Sequence, residues 1–346
     1  MNQKLSVVVM CHNNAEELER NLPMLLSQEY EGGYEVIVVV EKGEDDTDDA
    51  LTRLKSQYPP QGSLQEPLYT TYVPESSRYV SRKKLGVTLG VKAAKTEWIV
   101  LTEATCRPLS HQWLSAIASA ATDEKDMVLG YANFDEDTSS FKRFLTLKRQ
   151  LGLCRAAQKK TAYSQESRIL MFRKTMFLSG KGYDGNLKYI GGEYEFIVNK
   201  FAKRGNTAVA LSPESWLQEE NPTSKQWKNR QLFHLETRRH LKRSWGHRLP
   251  ILADQLFLHV GYLAEVVAIV WGALTANWLV VAIAAVALIA TCIVRTLLKA
   301  RVCQAFNTKV PVWKLPFFDL GWAWHYLYNI IRYKAADKDS FICHKI

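Results

Sequence analysis

Residues 96–108, TEWIVLTEATCRP, carry the side chains best placed to do chemistry. The apolar run WIVL is typical of a buried parallel strand, and polar residues follow it at Glu103, Thr105 and Arg107. Pro108 ends the strand, because proline has no N–H for a sheet ladder. Ligands of open α/β sheets lie beyond the carboxyl ends of the strands. We therefore expect Glu103 to present a carboxylate to a ligand; an ordinary polar loop is the alternative.

Two other acidic segments follow predicted elements in the same way. The apolar strand at 36–40 leads into a loop that contains Glu41, Asp45 and Asp46. Further on, two glycines precede Glu193 and Glu195 at the start of a predicted helix. Carboxylates in a first helical turn complement the helix dipole, whereas glycines before them also let a substrate approach closely. Both interpretations of Glu193 and Glu195 remain open at this point.

The elements that must position these residues alternate between strand and helix. Apolar runs at 5–10, 36–40, 69–73 and 98–101 are separated by helical patterns, and Asn14 is placed to cap the first helix. This order predicts βαβ units, hence an α/β fold with a mostly parallel sheet and helices on both faces. Weaker signals predict strands at 127–132, 169–172 and 207–211, and a basic amphipathic helix at 141–157 that lies against a membrane or covers a cleft.

Charge and length limit the class of protein. The 346 residues allow about two domains. The net charge of +10 is concentrated before the most apolar part of the chain, where eight Lys or Arg residues lie between Lys225 and Arg248 against one acid, Glu236. This position favours an anionic membrane surface and excludes nucleic acid as the expected partner. The six cysteines form no C-x-x-C pair, so we expect neither a zinc site nor a disulfide framework.

The last third of the chain predicts a membrane region. Residues 256–275 and 278–294 are apolar and about as long as a bilayer crossing requires. Basic residues flank the pair on both sides, so the positive-inside rule predicts a hairpin with both ends in the cytoplasm. His259 and Glu265 lie in the first span, where we expect packing or a contact across the hairpin. Residues 311–333 suit an interfacial or re-entrant helix. The predicted domains are therefore 1–245, cytosolic, and 246–346, in the membrane.

With these elements placed, the sequence resembles the family 2 glycosyltransferases of GT-A fold, in a membrane-anchored bacterial form. The resemblance covers roughly residues 4–245 and rests on the order and spacing of five segments: VVVMCHNNAEEL, EVIVVVEKGEDDTDDAL, SRKKLGVTLGVKAAKTEWIVLTEATCRP, GGEYEFIVNKFAKRGN and TSKQWKNR. It implies an inverting transfer from a nucleotide-sugar, with a UDP-sugar as the expected donor, to a membrane-linked or cell-envelope glycan. It also implies a divalent cation, Mg²⁺ or Mn²⁺, and an inner-membrane location with the catalytic domain in the cytoplasm.

The resemblance also implies roles for particular residues. The general base is Glu193. Glu103 and Thr105 stand at the family's Asp-X-Asp positions, which meet the ribose and the cation. The remaining donor-binding residues are Glu41, Asp45, Asp46, Lys83, Lys84 and Arg230. Glu195 and Trp227 belong to the acceptor side or to the segment that closes over the site.

The sequence departs from the family pattern at three of these positions. Thr105 supplies no charge where the family has aspartate, Glu193 is one methylene longer than the usual base, and QWKNR replaces the usual Gln-X-X-Arg-Trp. A second hypothesis is therefore a catalytically silent homologue that serves as a binding or assembly subunit in an envelope-polysaccharide complex. A third, transfer to polyprenyl phosphate, shares the fold and the anchor and differs only in the acceptor.

Overall fold

The computed structural model describes residues 3–58, 68–74, 81–337 and 341. The chain divides into two compact units, of which the first comprises residues 1–138, 149–242 and 336–346, and the second comprises residues 139–148 and 243–335. The strands are β1 (Leu5–Cys11), β2 (Tyr34–Glu41), β3 (Leu68–Val73), β4 (Trp98–Glu103), β5 (Cys106–Pro108), β6 (Met127–Leu129), β7 (Ala132–Phe134), β8 (Leu170–Arg173), β9 (Thr207–Val209) and β10 (Leu217–Glu219). The helices are α1 (Ala15–Leu26), α2 (Thr47–Gln57), α3 (Arg82–Ala93), α4 (Trp113–Ala118), α5 (Ser140–Lys159), α6 (Lys174–Ser179), α7 (Glu193–Phe201), α8 (Ser224–Arg239), α9 (Ser244–Leu274), α10 (Trp278–Ala305) and α11 (Leu315–Ala335).

The first unit is built on a mostly parallel sheet. Seven described strands lie in the order β3-β2-β1-β4-β8-β6-β9. The first four are parallel to one another, and β8 runs antiparallel to both β4 and β6. A second sheet has the order β5-β10-β7. The predicted strand at 127–132 is in fact two strands, because β6 pairs in the large sheet and β7 pairs with β10.

Helices cover both faces of the large sheet, as the α/β pattern predicts. Val7 and Val9 of β1 face one buried cluster, to which α1, α2 and α4 contribute, while Val8 and Met10 face another, to which α3, α5 and α7 contribute. Alternate residues of one strand therefore pack into hydrophobic cores on opposite faces of the sheet. Such double burial explains why the central strands are apolar without alternation.

Asn14 stands at the N-cap position of α1, as predicted, but it does not cap the helix through its side chain. The Asn14 side chain makes no capping hydrogen bond, and the N–H of Ala15 donates instead to Asp45 in the loop after β2, at 2.8 Å. Asp45 also accepts a hydrogen bond from the Thr47 hydroxyl at 2.7 Å, in the first turn of α2. One carboxylate from a neighbouring loop thus serves the starts of two helices, which a local sequence pattern cannot reveal.

The second unit contains two helices long and apolar enough to cross a membrane, α9 and α10. Both extend beyond the predicted spans, since α9 begins at Ser244 and α10 ends at Ala305. Their connection is tight: Ala276 adopts φ +53°, and Asn277 accepts a hydrogen bond from the N–H of Val280. The Thr291 hydroxyl donates to Glu265 at 3.4 Å, so Glu265 makes the expected contact across the hairpin.

A charged cluster joins three helices of the second unit. Asp319 of α11 is 3% exposed and pairs with Lys148 at 3.3 Å, Arg295 at 2.9 Å and Lys299 at 2.7 Å. A buried carboxylate with several cationic partners costs much less than an isolated one. Asp319 therefore ties the predicted interfacial segment to the end of α10 and to the first half of α5.

Candidate active site

A cleft of about 730 Å³ opens at the carboxyl ends of β1, β2 and β4. Its sheet side is formed by the ends of these strands and by the start of α3. The facing side comes from α7, α8, residues 165–168 and the end of β10. All of these elements belong to the first unit. The cleft therefore lies where a doubly wound sheet is expected to bind its ligand.

The start of α3 places two cations beside carboxylates of the sheet. Arg82 lies 3.7 Å from Glu41, and the Lys83 ammonium lies 2.7 Å from Glu103. The helix approaches the sheet closely, because a Cβ built on Gly90 would stand 2.4 Å from a methyl carbon of Val8. A close helix–sheet contact thus fixes the position from which Lys83 reaches Glu103.

The facing side extends this pairing into a chain of ions. Arg168 lies 3.0 Å from Glu103 and 3.7 Å from Glu219, and Arg230 of α8 lies 2.7 Å from Glu219. Burial opposes ionisation of Glu103, but Arg168 and Lys83 outweigh burial and lower its pKa to about 2. Glu103 and Glu219, the two carboxylates of this ion chain, are therefore both held by cations. The ion chain contains three cations and two acids.

A third paired carboxylate lies deeper on the facing side. Glu166 accepts from the imidazole of His234 at 2.9 Å and lies 3.8 Å from Arg149. Burial disfavours the charge on Glu166, but His234 and Arg149 outweigh it and hold the pKa of the carboxyl well below its usual range. Glu166 therefore stays ionised, and its carboxylate is paired with His234 and Arg149.

Glu193 and Glu195 differ from these acids, because neither side chain has an ion-pair partner within 4.0 Å among the described residues. Both open α7 and line the cleft. Gly192 before them has φ +91°, where a Cβ would meet Phe196 and Thr237 at 2.6 and 2.7 Å, so the turn requires glycine. Burial, together with the nearby charge of Glu193, raises the pKa of Glu195 to about 7. An unpaired carboxyl that titrates near neutrality suits proton transfer.

Phe341 lies beside the glycines that precede Glu193. Its ring packs edge-on against Phe233 of α8, with ring centroids 5.4 Å apart, and its carbonyl accepts a hydrogen bond from the N–H of Ile190 at 3.0 Å. Ile190 and Phe233 both line the cleft. A residue from near the end of the chain thus supports this side of the site.

The structure brings together most of the residues singled out in the sequence. Those that line the cleft are Glu41, Lys83, Glu103, Thr105, Glu193, Glu195 and Arg230.

Four predicted residues lie elsewhere. Lys84 is fully buried and donates to the carbonyls of Asn186 and Tyr189; burial lowers the pKa of its ammonium to about 8. Asp45 and Asp46 are exposed and outside the cleft lining, because Asp45 is engaged at the helix starts. Trp227 packs its ring against Phe134, with centroids 6.1 Å apart. Of these four, Lys84 is buried and bonded to backbone carbonyls, and Trp227 packs against an aromatic ring. Asp45 accepts hydrogen bonds at the starts of α1 and α2.

Three important residues of the site, Arg168, Glu219 and Glu166, were not predicted. The antiparallel direction of β8 explains Arg168: Leu170, the first residue of β8, pairs with Leu101 near the end of β4, which brings Arg168 beside Glu103. Glu219 similarly pairs with Cys106. The available signal was a charged residue next to a short apolar run, but strand direction decides whether such a residue reaches the cleft.

The residues present do not fit a divalent cation. Beside a diphosphate, an ion such as Mg²⁺ is usually held by one or two carboxylates together with phosphate oxygens and waters. The predicted ligands are Glu103, which Lys83 and Arg168 already hold, and the uncharged Thr105. Among the residues that the structure describes, no three His, Cys, Asp or Glu side chains are grouped to hold a metal ion. The ion chain thus puts cations where the family pattern implies a metal.

The sheet, the helices on both faces and the position of the cleft define a GT-A glycosyltransferase fold. A mannosyltransferase from Pyrobaculum calidifontis, solved in complex with GDP-Man and Mn²⁺, is similar over 95% of this chain and 88% of its own, with 18% identity and a TM-score of 0.54. The model of glycosyl transferase family 2 matches residues 6–178. The chain belongs to this family, and the predicted resemblance and fold are confirmed.

A fragment of S. aureus TarS, solved in complex with UDP-GlcNAc, has 13% sequence identity to this chain and a TM-score of 0.45. The match covers 66% of this chain and 64% of the TarS fragment. Among curated protein sequences, none matches the chain at a significant level.

Proposed function

We propose that this protein is an inverting glycosyltransferase that moves a sugar from a nucleotide-sugar, with a UDP-sugar expected first, to a membrane-linked or cell-envelope glycan. One observation carries the proposal. A single cleft combines a cation-rich ion chain that runs from Lys83 to Arg230, suited to a diphosphate, with Glu193 and Glu195 at the start of α7. These two carboxylates have no ion-pair partner among the described residues and suit proton acceptance.

The cleft residues divide between donor and acceptor. Glu41 lies at the end of β2, where the resemblance implies contact with the nucleoside, and Lys83 and Arg230 lie near the diphosphate. Displacement at the anomeric carbon releases a nucleoside diphosphate, whose developing charge is stabilised by positioned cations. The base must lie on the opposite side of the sugar from this leaving group. Glu193 keeps the role of base that the resemblance implies, with Glu195 beside it.

The site's chemistry allows this division of roles to be tested directly. The full chain, purified in detergent, is incubated with radiolabelled UDP-sugars and a membrane extract as acceptor. Glu193→Gln should lose transfer while keeping UDP binding. If Glu195→Gln loses transfer instead and Glu193→Gln keeps it, the base is Glu195. Full transfer by both variants would show that neither Glu193 nor Glu195 is the base.

The second unit supports a membrane-bound form of this function. We propose that α9 and α10 span the inner membrane as a hairpin, with residues 1–245 in the cytoplasm, since most apolar side chains of both helices are exposed. The basic cluster before α9 and the basic residues late in α10 then lie on the cytoplasmic side. Protease protection in inverted vesicles would test this orientation.

The silent homologue remains the second candidate, favoured by Thr105 and by the occupied carboxylate of Glu103. It predicts a folded protein that binds no nucleotide diphosphate, or one that binds it without transfer to any acceptor. Binding followed by transfer, lost on Glu193→Gln, would exclude it.

A further inference from the structure

We propose that this cleft binds the donor diphosphate directly through Lys83 and Arg168, without a divalent cation, and that Glu103 is the counterion of these two residues and not a metal ligand. The inference rests on the proposed function, because it concerns the same donor site.

The contacts of Glu103 are those of a counterion. One oxygen, Oε1, receives both cations, with Lys83 Nζ at 2.7 Å and Arg168 Nη1 at 3.0 Å. A metal ion on this carboxylate would stand within a few ångströms of both positive charges. Like charges at such short separations repel one another strongly, and the double charge of a divalent ion doubles the repulsion. The local charges therefore oppose a metal where the family pattern implies one.

Arg168 is held firmly in this position. It lies two residues before Leu170, the first residue of β8, and β8 is paired with both β4 and β6. Its guanidinium also lies over the ring of Tyr194, 5.9 Å from the centroid. A planar guanidinium fixed in this way suits bidentate recognition of phosphate. Arg168 thus has the chemistry and the rigidity that a phosphate ligand requires.

The ion chain keeps a net positive charge. Lys83, Arg168 and Arg230 together carry three positive charges, and the carboxylates that they contact, Glu103 and Glu219, carry two negative charges. A diphosphate entering here replaces part of the contact that these cations make with Glu103. Glu103 therefore competes with the ligand, whereas a metal-ligating carboxylate would assist it.

The two roles of Glu103 predict opposite effects of one substitution on UDP affinity. If Glu103 is a counterion, Glu103→Gln frees Lys83 and Arg168 and should tighten UDP binding about threefold to tenfold, because an internal competitor for the same cations is removed. If Glu103 ligates a metal, the same substitution abolishes metal-dependent binding. Arg168→Gln should weaken binding about tenfold to a hundredfold, the usual worth of a charge-assisted hydrogen bond, and Arg168→Lys should recover part of the loss.

The experiment is calorimetric titration of UDP, and separately of GDP, into the full chain in detergent, with Mn²⁺ or with EDTA. Arg53→Gln, which removes a cation paired with Glu19 on the exposed surface of α2, is the matched control. The expected result is equal affinity in Mn²⁺ and EDTA, tighter binding by Glu103→Gln, and weaker binding by Arg168→Gln. Melting curves confirm that each variant is folded, and the comparison of Mn²⁺ with EDTA needs no variant.

Binding that requires Mn²⁺ would overturn the inference and leave the proposed function intact. Loss of binding in folded Glu103→Gln would likewise overturn it. Failure of the wild-type protein to bind either nucleotide in both conditions would reject the proposed function, and the inference would fall with it.

Discussion

Replacing Glu195 with glutamine should stabilise the protein at alkaline pH while leaving its stability in acid nearly unchanged. The pKa of this carboxyl is raised from 4.5 to about 7 by burial and by the charge of Glu193. A raised folded-state pKa contributes stability that is fully present below the unfolded value and is lost as pH rises through the folded value. For Glu195 the loss therefore falls between about pH 4.5 and pH 7.

The size of this loss follows from the shift. The pKa of Glu195 is about 2.5 higher in the folded protein than in the unfolded chain. Between pH 5 and pH 8 this difference lowers the free energy of unfolding of the wild-type protein by on the order of 2.5 kcal/mol. Glutamine does not titrate, so the stability advantage of Glu195→Gln should grow by this amount over the same range. For a unit of this size, each kcal/mol corresponds to about 2–4 °C in melting temperature.

The assay is thermal unfolding of both proteins at pH 5, 6, 7 and 8, with Glu214→Gln, an exposed glutamate of the same unit, as control. Melting curves of wild type and Glu195→Gln that stay parallel across this range would refute the argument, as would destabilisation of the variant at pH 8. The same pKa predicts that, if Glu195 accepts the proton, kcat/KM rises about tenfold between pH 6 and pH 8.

Three further predictions concern other parts of the molecule. Thr105→Asp, which adds a second carboxylate near Glu103, should weaken UDP binding in EDTA and make it respond to Mn²⁺; calorimetry that shows neither change would contradict the assignment of Glu103. Gly90→Ala should lower the free energy of unfolding by about 1–3 kcal/mol, because its Cβ overlaps Val8 in a packed core; denaturant unfolding gives the value, and an unchanged midpoint would show that α3 can shift. Asp319→Ala should cost about 3–5 kcal/mol, because three cations of the second unit lose a buried partner; limited proteolysis should then cut this unit faster, and an unchanged rate would count against the cluster.

The fold could be predicted because its signals are local. Apolar runs such as WIVL and helical periodicities depend on neighbours along the chain, and their alternation gives a parallel α/β sheet. The single strand predicted at 127–132 was wrong for the opposite reason, since only the pairing partners of β6 and β7 show that the segment forms two strands.

The candidate site was predictable on its sheet side but only in part on the facing side, where Glu193, Glu195 and Arg230 were singled out and Arg168 and Glu219 were not. Glu41 and Glu103 follow parallel strands, whose carboxyl ends meet at one edge. Arg168 and Glu219 depend on strand direction and register, which the sequence does not display. Lys84, which was predicted to bind the donor, lies in the core, because the residue next to a cleft-lining lysine on a helix points in another direction.

The contact of Phe341 has a consequence for how truncated forms of the protein are interpreted. A fragment that ends near residue 242 to remove the apolar hairpin also removes Phe341, and with it the carbonyl that accepts from Ile190 and the ring that covers Phe233. An inactive soluble fragment would therefore not demonstrate that catalysis needs a lipid bilayer. A shortened chain in which a flexible linker joins residue 242 to a segment containing Phe341 would separate the two effects.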